Sequence, residues 1–311
     1  MANEKMPIPK EMKFWMNGKL VPESEAKIDL LTNTLHYGFG VFEGIRCYKT
    51  DKGPAVFRLC DHVKRLRNSW HAMGMELAYS QEDIEKAIAE LINVNNMQEC
   101  YVRPLIYLSG IAFDPYACKT NLAIACWVWN GFFGDMDEDQ GIRAAVSSFC
   151  RPHVNASLTK AKITGTYYNS LLARGLARKQ GYHEAIMLDS CGMVSEGTGD
   201  NIFIVRNNTI YTPARKGILE GITRDSIIAI AKELGHTVIE CDITREELYI
   251  ADEVFMTGTA AELECVSEID NRKIGSGRIG PVTKKLRDIF REIVHGKSAK
   301  YDKWLYYVRG A

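Results

Sequence analysis

Two lysines stand in a segment that carries no other charge, and such a segment can hold a reactive amine. Lys160 and Lys162 lie within 159–170, where small and hydroxyl-bearing residues precede a predicted helix. A lysine amine becomes nucleophilic near neutral pH when burial favours its uncharged form. The same stretch also fits a solvated loop with two ordinary surface lysines, and on these residues alone both interpretations stay open.

A carboxylate stands in a second segment, 193–203, next to glycines. Glu196 is followed by Gly197 and Gly199, which allow tight turns and a close approach of the backbone to a ligand. A carboxylate fixed in such a turn could pair with a protonated pyridine nitrogen, which is how proteins tune the electron-withdrawing ring of a pyridine cofactor. The alternative is a polar β-turn with no ligand.

Two further segments could hold anions. In 219–226, Thr223 is predicted to be the N-cap of the helix that follows, where backbone N–H groups and the helix dipole favour a phosphate. In 257–262, hydroxyl groups and exposed N–H groups follow a predicted strand that ends at Met256. Simple helix capping and an ordinary loop are the respective alternatives.

The elements that must position these segments are short strands and helices. Asn17-Gly18 between apolar residues predicts a hairpin, because both central residues of a type I′ turn need positive φ. Helices are predicted from about 61 to 73, after Ser80, and at 168–179, 224–234 and 245–250 from apolar spacing and capping residues. Strands are predicted at 14–16, 19–21, 45–48, 55–59, 101–108, 122–129, 143–149, 183–188, 201–205 and 253–256.

This order predicts an α+β protein of two domains. It is not a regular alternation of parallel strands and helices, and 311 residues exceed the ~250–300 at which one core stops growing. The acidic stretch 134–141 is predicted to be the linker. It leaves a small N-terminal α/β domain at 1–133 and a larger C-terminal domain of mixed strands and helices at 142–311.

Charge and apolar runs exclude several classes of function. Lys+Arg and Asp+Glu both number 39, so nothing in the balance favours nucleic acid or an anionic membrane. The longest apolar run, 122–129, is far shorter than the ~20 residues of a membrane span, and the N-terminus lacks an apolar signal core. The sequence contains no C-x-x-C pair, which is the spacing typical of a zinc site. A cytoplasmic protein without a metal is therefore expected.

Taken together, these segments resemble the branched-chain amino-acid aminotransferases, which are class IV aminotransferases of fold type IV among the pyridoxal-phosphate enzymes. The resemblance includes Val41-Phe-Glu-Gly-Ile-Arg46 and the Tyr101-Val-Arg103 pair. It runs in order through 35–48, 62–66, 101–105, 159–170, 195–201, 221–225, 258–262, 280–284 and 304–308.

The resemblance implies pyridoxal 5'-phosphate and assigns residues to it. Lys162 rather than Lys160 becomes the Schiff-base lysine, because the family has a tyrosine five residues later and Tyr167 fits. Tyr167 is then expected to bind the phenolic oxygen of the cofactor, and Glu196 to pair with its pyridine nitrogen. The phosphate residues implied are Arg65, Ile222, Thr223 and Thr259, with Leu219 packed on the ring.

The resemblance also implies a substrate pocket. Its wall is expected from Tyr37, Phe42, Gly44, Arg46, Tyr101, Arg103 and Phe132. Arg103 suits the distal carboxylate of glutamate, and the N–H groups of Thr259 and Ala260 would receive the α-carboxylate. Phe132 departs from the family, which commonly has a tyrosine there, so one hydroxyl of the pocket is missing.

The implied reaction transfers the amino group of L-leucine, L-isoleucine or L-valine to 2-oxoglutarate with ping-pong kinetics. The implied partners are these small molecules and further copies of the chain, as a homodimer or as a hexamer built from three dimers. A D-amino-acid aminotransferase or an aminodeoxychorismate lyase of the same fold type is the nearest alternative. A cofactor-binding module without activity is the second.

Overall fold

The structure is a computed structural model that describes residues 12–129, 131 and 139–308. These residues form two units, each with dense internal contacts. The first comprises 12–129, 161–165 and 292–308, and the second comprises 131, 139–160 and 166–291.

Short strands and helices follow one another along the chain without a regular repeat. The strands are β1 (Lys13–Met16), β2 (Lys19–Pro22), β3 (Gly40–Phe42), β4 (Ile45–Thr50), β5 (Gly53–Phe57), β6 (Cys100–Ser109), β7 (Lys119–Trp127), β8 (Ile142–Val146), β9 (Glu184–Leu188), β10 (Val194–Glu196), β11 (Asn201–Arg206), β12 (Thr209–Pro213), β13 (Val238–Cys241), β14 (Glu253–Gly258), β15 (Glu262–Ile269), β16 (Arg272–Lys273) and β17 (Leu305–Tyr307). The helices are α1 (Asn33–Tyr37), α2 (Leu59–Ala72), α3 (Gln81–Val94), α4 (Tyr167–Lys179), α5 (Ile222–Glu233), α6 (Arg245–Tyr249) and α7 (Pro281–Val294).

The first unit is an antiparallel sheet with helices packed against it. Among the described residues the strand order is β17-β5-β4-β6-β7-β1-β2, and β3 pairs with β6. Asn17 and Gly18 have φ of 49° and 90°, which confirms the predicted hairpin. The apolar face of α2 enters the core through residues such as Val63, Leu66 and Trp70, and Ser80 caps α3 as predicted.

The second unit is a mixed sheet. Its order in the described chain is β10-β9-β8-β15-β14-β11-β12-β13, and β16 pairs with β15. The pairs β8–β9, β8–β15 and β12–β13 are parallel, whereas the other pairs are antiparallel. Its core contains Ile202, Met256 and Val266 from three neighbouring strands. Both units thus combine helices with strands, which confirms the predicted α+β class.

Each unit is built from more than one stretch of the chain, so no single boundary separates them. The sequence predicted one boundary in 134–141, but 161–165 and 292–308 belong with the first unit. The physical reason is strand pairing: β17 pairs with β5, with Leu305 opposite Phe57, and a bridge joins Val41 to Ile163. Of the helices in the described ranges, none is both long and apolar enough to span a membrane.

Candidate active site

The backbone of Lys162 is fixed on both sides within the first unit. Its N–H donates to Ser69 Oγ on α2 at 3.1 Å, and its C=O accepts from the N–H of Phe42 on β3 at 3.0 Å. The Nζ atom lies 5.0 Å from the centroid of the Phe42 ring. Lys160 differs, because its Nζ pairs with Glu220 Oε1 at 2.9 Å in the exposed part of the second unit. The geometry therefore favours Lys162 as the reactive amine.

Two glycines let the lysine segment lie against the chain before β3. The N–H of Gly165 donates to the C=O of Gly38 at 3.0 Å, and Thr164 Oγ1 donates to the same oxygen at 2.7 Å. A Cβ at Gly38 would lie 2.6 Å from Gly165 Cα, and Gly38 has φ of 68°. A larger residue at position 38 would push the segment that carries Lys162 away from β3.

A buried carboxylate, Glu43, holds Arg65. Arg65 Nε donates to Glu43 Oε1 at 2.6 Å and its Nη2 to Oε2 at 2.8 Å, while His62 Nδ1 lies 2.9 Å from Oε2. Burial alone would raise the pKa of Glu43, but the charge and hydrogen bonds of Arg65, with the His62 contact, hold it well below its usual range. Burial lowers the pKa of His62, which favours a neutral imidazole.

The pair gives Arg65 a fixed direction and occupies two of its donors. A guanidinium is planar and donates in fixed directions, so these two bonds set the orientation of the whole group. A half-buried arginine anchored in this way is suited to bind a phosphate.

Aromatic rings surround a second arginine of the first unit. The Cζ atom of Arg103 on β6 lies 4.6 Å from the ring centroid of Phe42, 5.3 Å from that of Tyr101 and 5.8 Å from that of Trp127. Arg103 Nη2 donates to the Tyr101 hydroxyl at 3.1 Å. Its Nε atom is buried without a hydrogen-bond partner in the described part of the chain. This cluster combines apolar faces with a cation that can receive a carboxylate.

Gly44 and Arg46 lie beside this cluster. A Cβ at Gly44 would come within 1.9 Å of the Tyr101 hydroxyl, so a glycine is needed for the Tyr101 side chain to pack there. Arg46 is the cross-strand partner of Tyr101, and its guanidinium pairs with Glu99 Oε1 at 2.9 Å and lies over the Tyr48 ring.

Tyr37 and Phe132 are the two remaining residues of the wall that the sequence predicts. Tyr37 is the last residue of α1 and is 56% exposed, with its ring 6.3 Å from that of Phe113. Within the first unit it therefore lies on the surface rather than in ring contact with Phe42. Phe132 lies outside the described residues.

In the second unit, Glu196 is fixed by three donors. Arg151 Nη2 lies 2.9 Å from its Oε1, whereas Asn201 Nδ2 and the N–H of Leu219 donate to Oε2 at 3.1 and 3.2 Å. The turn between β10 and β11 is closed by the N–H of Gly197, which donates to the C=O of Asp200 at 2.7 Å. Such a buried carboxylate, held in one orientation beside a cation, can accept a hydrogen bond from a protonated ring nitrogen.

The N-terminus of α5 lies next to this carboxylate. Gly221, not Thr223, is the N-cap, so the predicted cap is wrong by two residues. The reason is contact: a Cβ at Gly221 would lie 1.9 Å from Asn201 Oδ1, and only glycine lets the helix start there. Ile222 and Thr223 instead form the first turn, whose N–H groups have no partner within the helix and favour a phosphate.

The loop after β14 follows the strand end that pairs with the start of β11. Asn201 is the cross-strand partner of Thr257, and a Cβ at Gly258 would lie 2.2 Å from Asp200 Oδ1. Thr259 and Ala260 follow in the half-buried loop that leads to β15. The second unit thus brings Glu196, Leu219 and the start of α5 close to the end of β14, which Thr259 follows.

The sequence profile of the family described as "Amino-transferase class IV" matches residues 40–269, which is most of the chain. The chain belongs to the class IV aminotransferases. Relatives with assigned activities agree: the branched-chain-amino-acid aminotransferase of Pseudomonas aeruginosa is 45% identical over 293 residues, or 94% of this chain and 95% of that protein.

Solved structures of aminotransferases have the same fold. The branched-chain amino acid aminotransferase of Escherichia coli is 41% identical, with a TM-score of 0.93 over 96% of this chain and 100% of that chain. The branched-chain aminotransferase of the archaeon Thermoproteus uzoniensis with norvaline is 45% identical, with a TM-score of 0.91 over 96% of this chain and 99% of that chain. The enzyme of Thermobaculum terrenum in its PLP-form is 34% identical, with a TM-score of 0.90 over the same shares as the archaeal enzyme.

The chemistry of this aminotransferase's donor groups fits pyridoxal 5'-phosphate. An amine on a fixed backbone suits the aldehyde, the buried Glu196 suits the ring nitrogen, and the first turn of α5 suits the phosphate. Tyr167 is the first residue of α4 and is half-buried.

Three residues that these contacts single out had no role predicted from the sequence. Glu43 and His62 stand in the motifs that carry the resemblance, and an acid followed by H-x-x-R could have suggested an ion pair. Arg151 had no such signal, because it lies in an irregular segment after β8 and meets Glu196 only through the fold.

Proposed function

We infer that this chain is a branched-chain-amino-acid aminotransferase that uses pyridoxal 5'-phosphate. It transfers the amino group of L-leucine, L-isoleucine or L-valine to 2-oxoglutarate. The observation that carries the proposal is Arg103, a cation between the rings of Phe42, Tyr101 and Trp127. Such a wall accepts an apolar side chain, and its arginine accepts the distal carboxylate of glutamate, whose burial without a partner would be costly.

The residues proposed to hold the cofactor divide by its chemical groups. Lys162 binds its aldehyde carbon, Glu196 its pyridine nitrogen and Tyr167 its phenolic oxygen. The phosphate is held by Arg65, Ile222, Thr223 and Thr259, and Leu219 packs on the ring. When bound, pyridoxal 5'-phosphate supplies an aldehyde that takes up amino groups and a ring that withdraws electrons from the α-carbon.

Lys162 is also the proposed acid and base. With the cofactor bound, Lys162 Nζ would take the α-proton of the amino acid as a base and return a proton as an acid, while pyridoxal 5'-phosphate would supply the electron-withdrawing ring. The reverse movement, with 2-oxoglutarate as acceptor, yields glutamate. The contacts of Lys162 with Ser69 and Phe42 support this role, because they hold the backbone while the side chain moves.

The substrate is proposed to bind by both of its ends. The N–H groups of Thr259 and Ala260 receive the α-carboxylate. The side chain enters the wall formed by Phe42, Tyr101 and Arg103, to which the resemblance adds Tyr37, Gly44, Arg46 and Phe132.

The absorbance spectrum of the purified protein tests the proposal. Addition of L-leucine should replace the band of the lysine-bound cofactor by that of the aminated cofactor, and 2-oxoglutarate should restore it. Lys162→Ala should lack the first band, whereas Lys160→Ala, the matched control, should keep it. If D-alanine rather than L-leucine changes the band, a D-amino-acid aminotransferase is favoured. Release of 4-aminobenzoate from aminodeoxychorismate would favour the lyase. No response to L-leucine, D-alanine or aminodeoxychorismate would favour an inactive module.

The chain is further proposed to be cytoplasmic and at least a homodimer. The first unit exposes Leu30, Leu31, Leu35, Tyr37 and Phe113, of which Phe113 is 96% exposed. Four of these residues lie within 30–37, and the Phe113 ring lies 6.3 Å from that of Tyr37. Exposed apolar residues grouped in this way mark protein contacts. Light scattering would distinguish a dimer from a hexamer of three dimers, and a monomer would contradict the proposal.

A further inference from the structure

Trp127 is the aromatic residue of the Arg103 cluster to which no substrate contact has been assigned. It lies on β7 opposite Tyr101 on β6, so both side chains emerge on the same face of the sheet as Arg103. The Trp127 and Tyr101 ring centroids are 5.0 Å apart, and the Trp127 centroid is 5.8 Å from Arg103 Cζ.

The charge of Arg103 has no acidic partner in the part of the chain that the structure describes. Its contacts there are three ring faces and the Tyr101 hydroxyl. Arg46, on the neighbouring strand, is instead paired with Glu99. A bound dicarboxylate can neutralise Arg103, but a bound leucine cannot.

We propose that Trp127 is a specificity-determining residue that makes the branched-chain half of the reaction possible, by stabilising the Arg103 cation while an apolar substrate side chain excludes water from it. The inference rests on the proposed function. A cation–π contact contributes most to a desolvated cation. In the free protein water shares the charge, and in the glutamate complex a carboxylate neutralises it. The indole therefore matters most when leucine is bound.

Titration calorimetry of the cofactor-loaded protein with two unreactive acids tests this. Glutaric acid carries the distal carboxylate, and 4-methylpentanoic acid carries the branched chain instead. In Trp127→Leu, affinity for 4-methylpentanoic acid should fall about fivefold more than affinity for glutaric acid. In Trp127→Phe, the difference between the two affinity losses should be smaller than in Trp127→Leu but larger than zero. Leu and Phe replace the indole by side chains that differ mainly in having a ring face.

The apparent KM values of wild type and both variants for L-leucine and L-glutamate should change in the same ratio as the affinities. Equal losses for both acids, or a larger loss for glutaric acid, would overturn the role of Trp127 and leave the proposed function intact. If Trp127→Leu does not fold, the affinities of Trp127→Phe for the two acids, compared with those of wild type, decide the question. Wild-type protein that transfers no amino group from L-leucine would overturn the proposed function itself, and this inference with it.

Discussion

Arg65 and Glu43 are joined by two hydrogen bonds, from Nε to Oε1 at 2.6 Å and from Nη2 to Oε2 at 2.8 Å, and the Glu43 side chain is fully buried. Removal of one partner of a buried ion pair leaves the other charge uncompensated. Glu43→Gln should therefore lower the free energy of unfolding by about 3–5 kcal/mol, measured by urea denaturation of the cofactor-free protein.

The matched control is Glu220→Gln. It breaks the Lys160–Glu220 pair, whose side chains are 56% and 48% exposed. An exposed pair contributes about 1 kcal/mol or less. Similar small losses in both variants would contradict a stabilising role for the buried pair.

Acid should destabilise the protein in two steps, one at His62 and one at Glu43. Because the pKa of His62 lies below its ordinary 6.5 in the folded protein, stability from its neutral form is lost as pH falls through 6.5, where the unfolded chain takes up the proton. Because the pKa of Glu43 lies below its ordinary 4.5, stability from its charge is present above 4.5 and is lost at lower pH.

Urea midpoints measured from neutral to acid pH check this order. Glu43→Gln should show a shallower loss between about pH 5 and pH 3 than wild type, since the group that titrates there is gone. An unchanged slope in that range would show that other carboxyl groups cause the acid loss.

Arg151 should affect catalysis through Glu196. In Arg151→Met, Glu196 keeps its bonds from Asn201 and Leu219 but loses its cationic partner at 2.9 Å. We expect the rate of the L-leucine half-reaction, followed by single-turnover absorbance, to fall about tenfold, less than the 10²–10³ typical for a lost direct electrostatic contact. Arg143→Met, which breaks the more exposed pair with Glu268, should leave the rate unchanged. Equal rates in both variants would refute the link.

Arg103→Ala should separate the two substrates. Loss of the guanidinium leaves the distal carboxylate of 2-oxoglutarate without a partner, whereas leucine loses only part of its apolar wall. We expect kcat/KM to fall roughly 10- to 100-fold for 2-oxoglutarate and by less than about threefold for leucine. Steady-state kinetics with each substrate varied in turn measures both values, and equal losses would remove Arg103 from its assigned role.

Sequence patterns predicted well where local chemistry decides the structure. The Asn17-Gly18 turn and the start of a helix after Ser80 both lie where they were expected. Each depends on residues within a few positions of one another. The segments that carry Lys162 and Glu196 were singled out by their own residues and by the order of the matching motifs, and the roles of these two residues stay a prediction.

Features set by distant residues were not predictable. Thr223 is a better cap by residue type than Gly221, but the neighbouring Asn201 leaves room only for glycine. Arg151 acquires its partner only when β8 and β10 are placed in one sheet. β17 has three residues, too few for a pattern, and exists because β5 has an edge for it to pair with.

The return of β17 to β5 has a consequence for synthesis on the ribosome. The first unit begins with β1 but needs 161–165 and 292–308 for completion, and all of the second unit that the structure describes has been synthesised before β17 appears. Until then β5 presents an open edge, which is prone to pair with other chains. The unit that is started first is thus finished after the second one, and β5 keeps an open edge on the nascent chain from its own synthesis until β17 has been made.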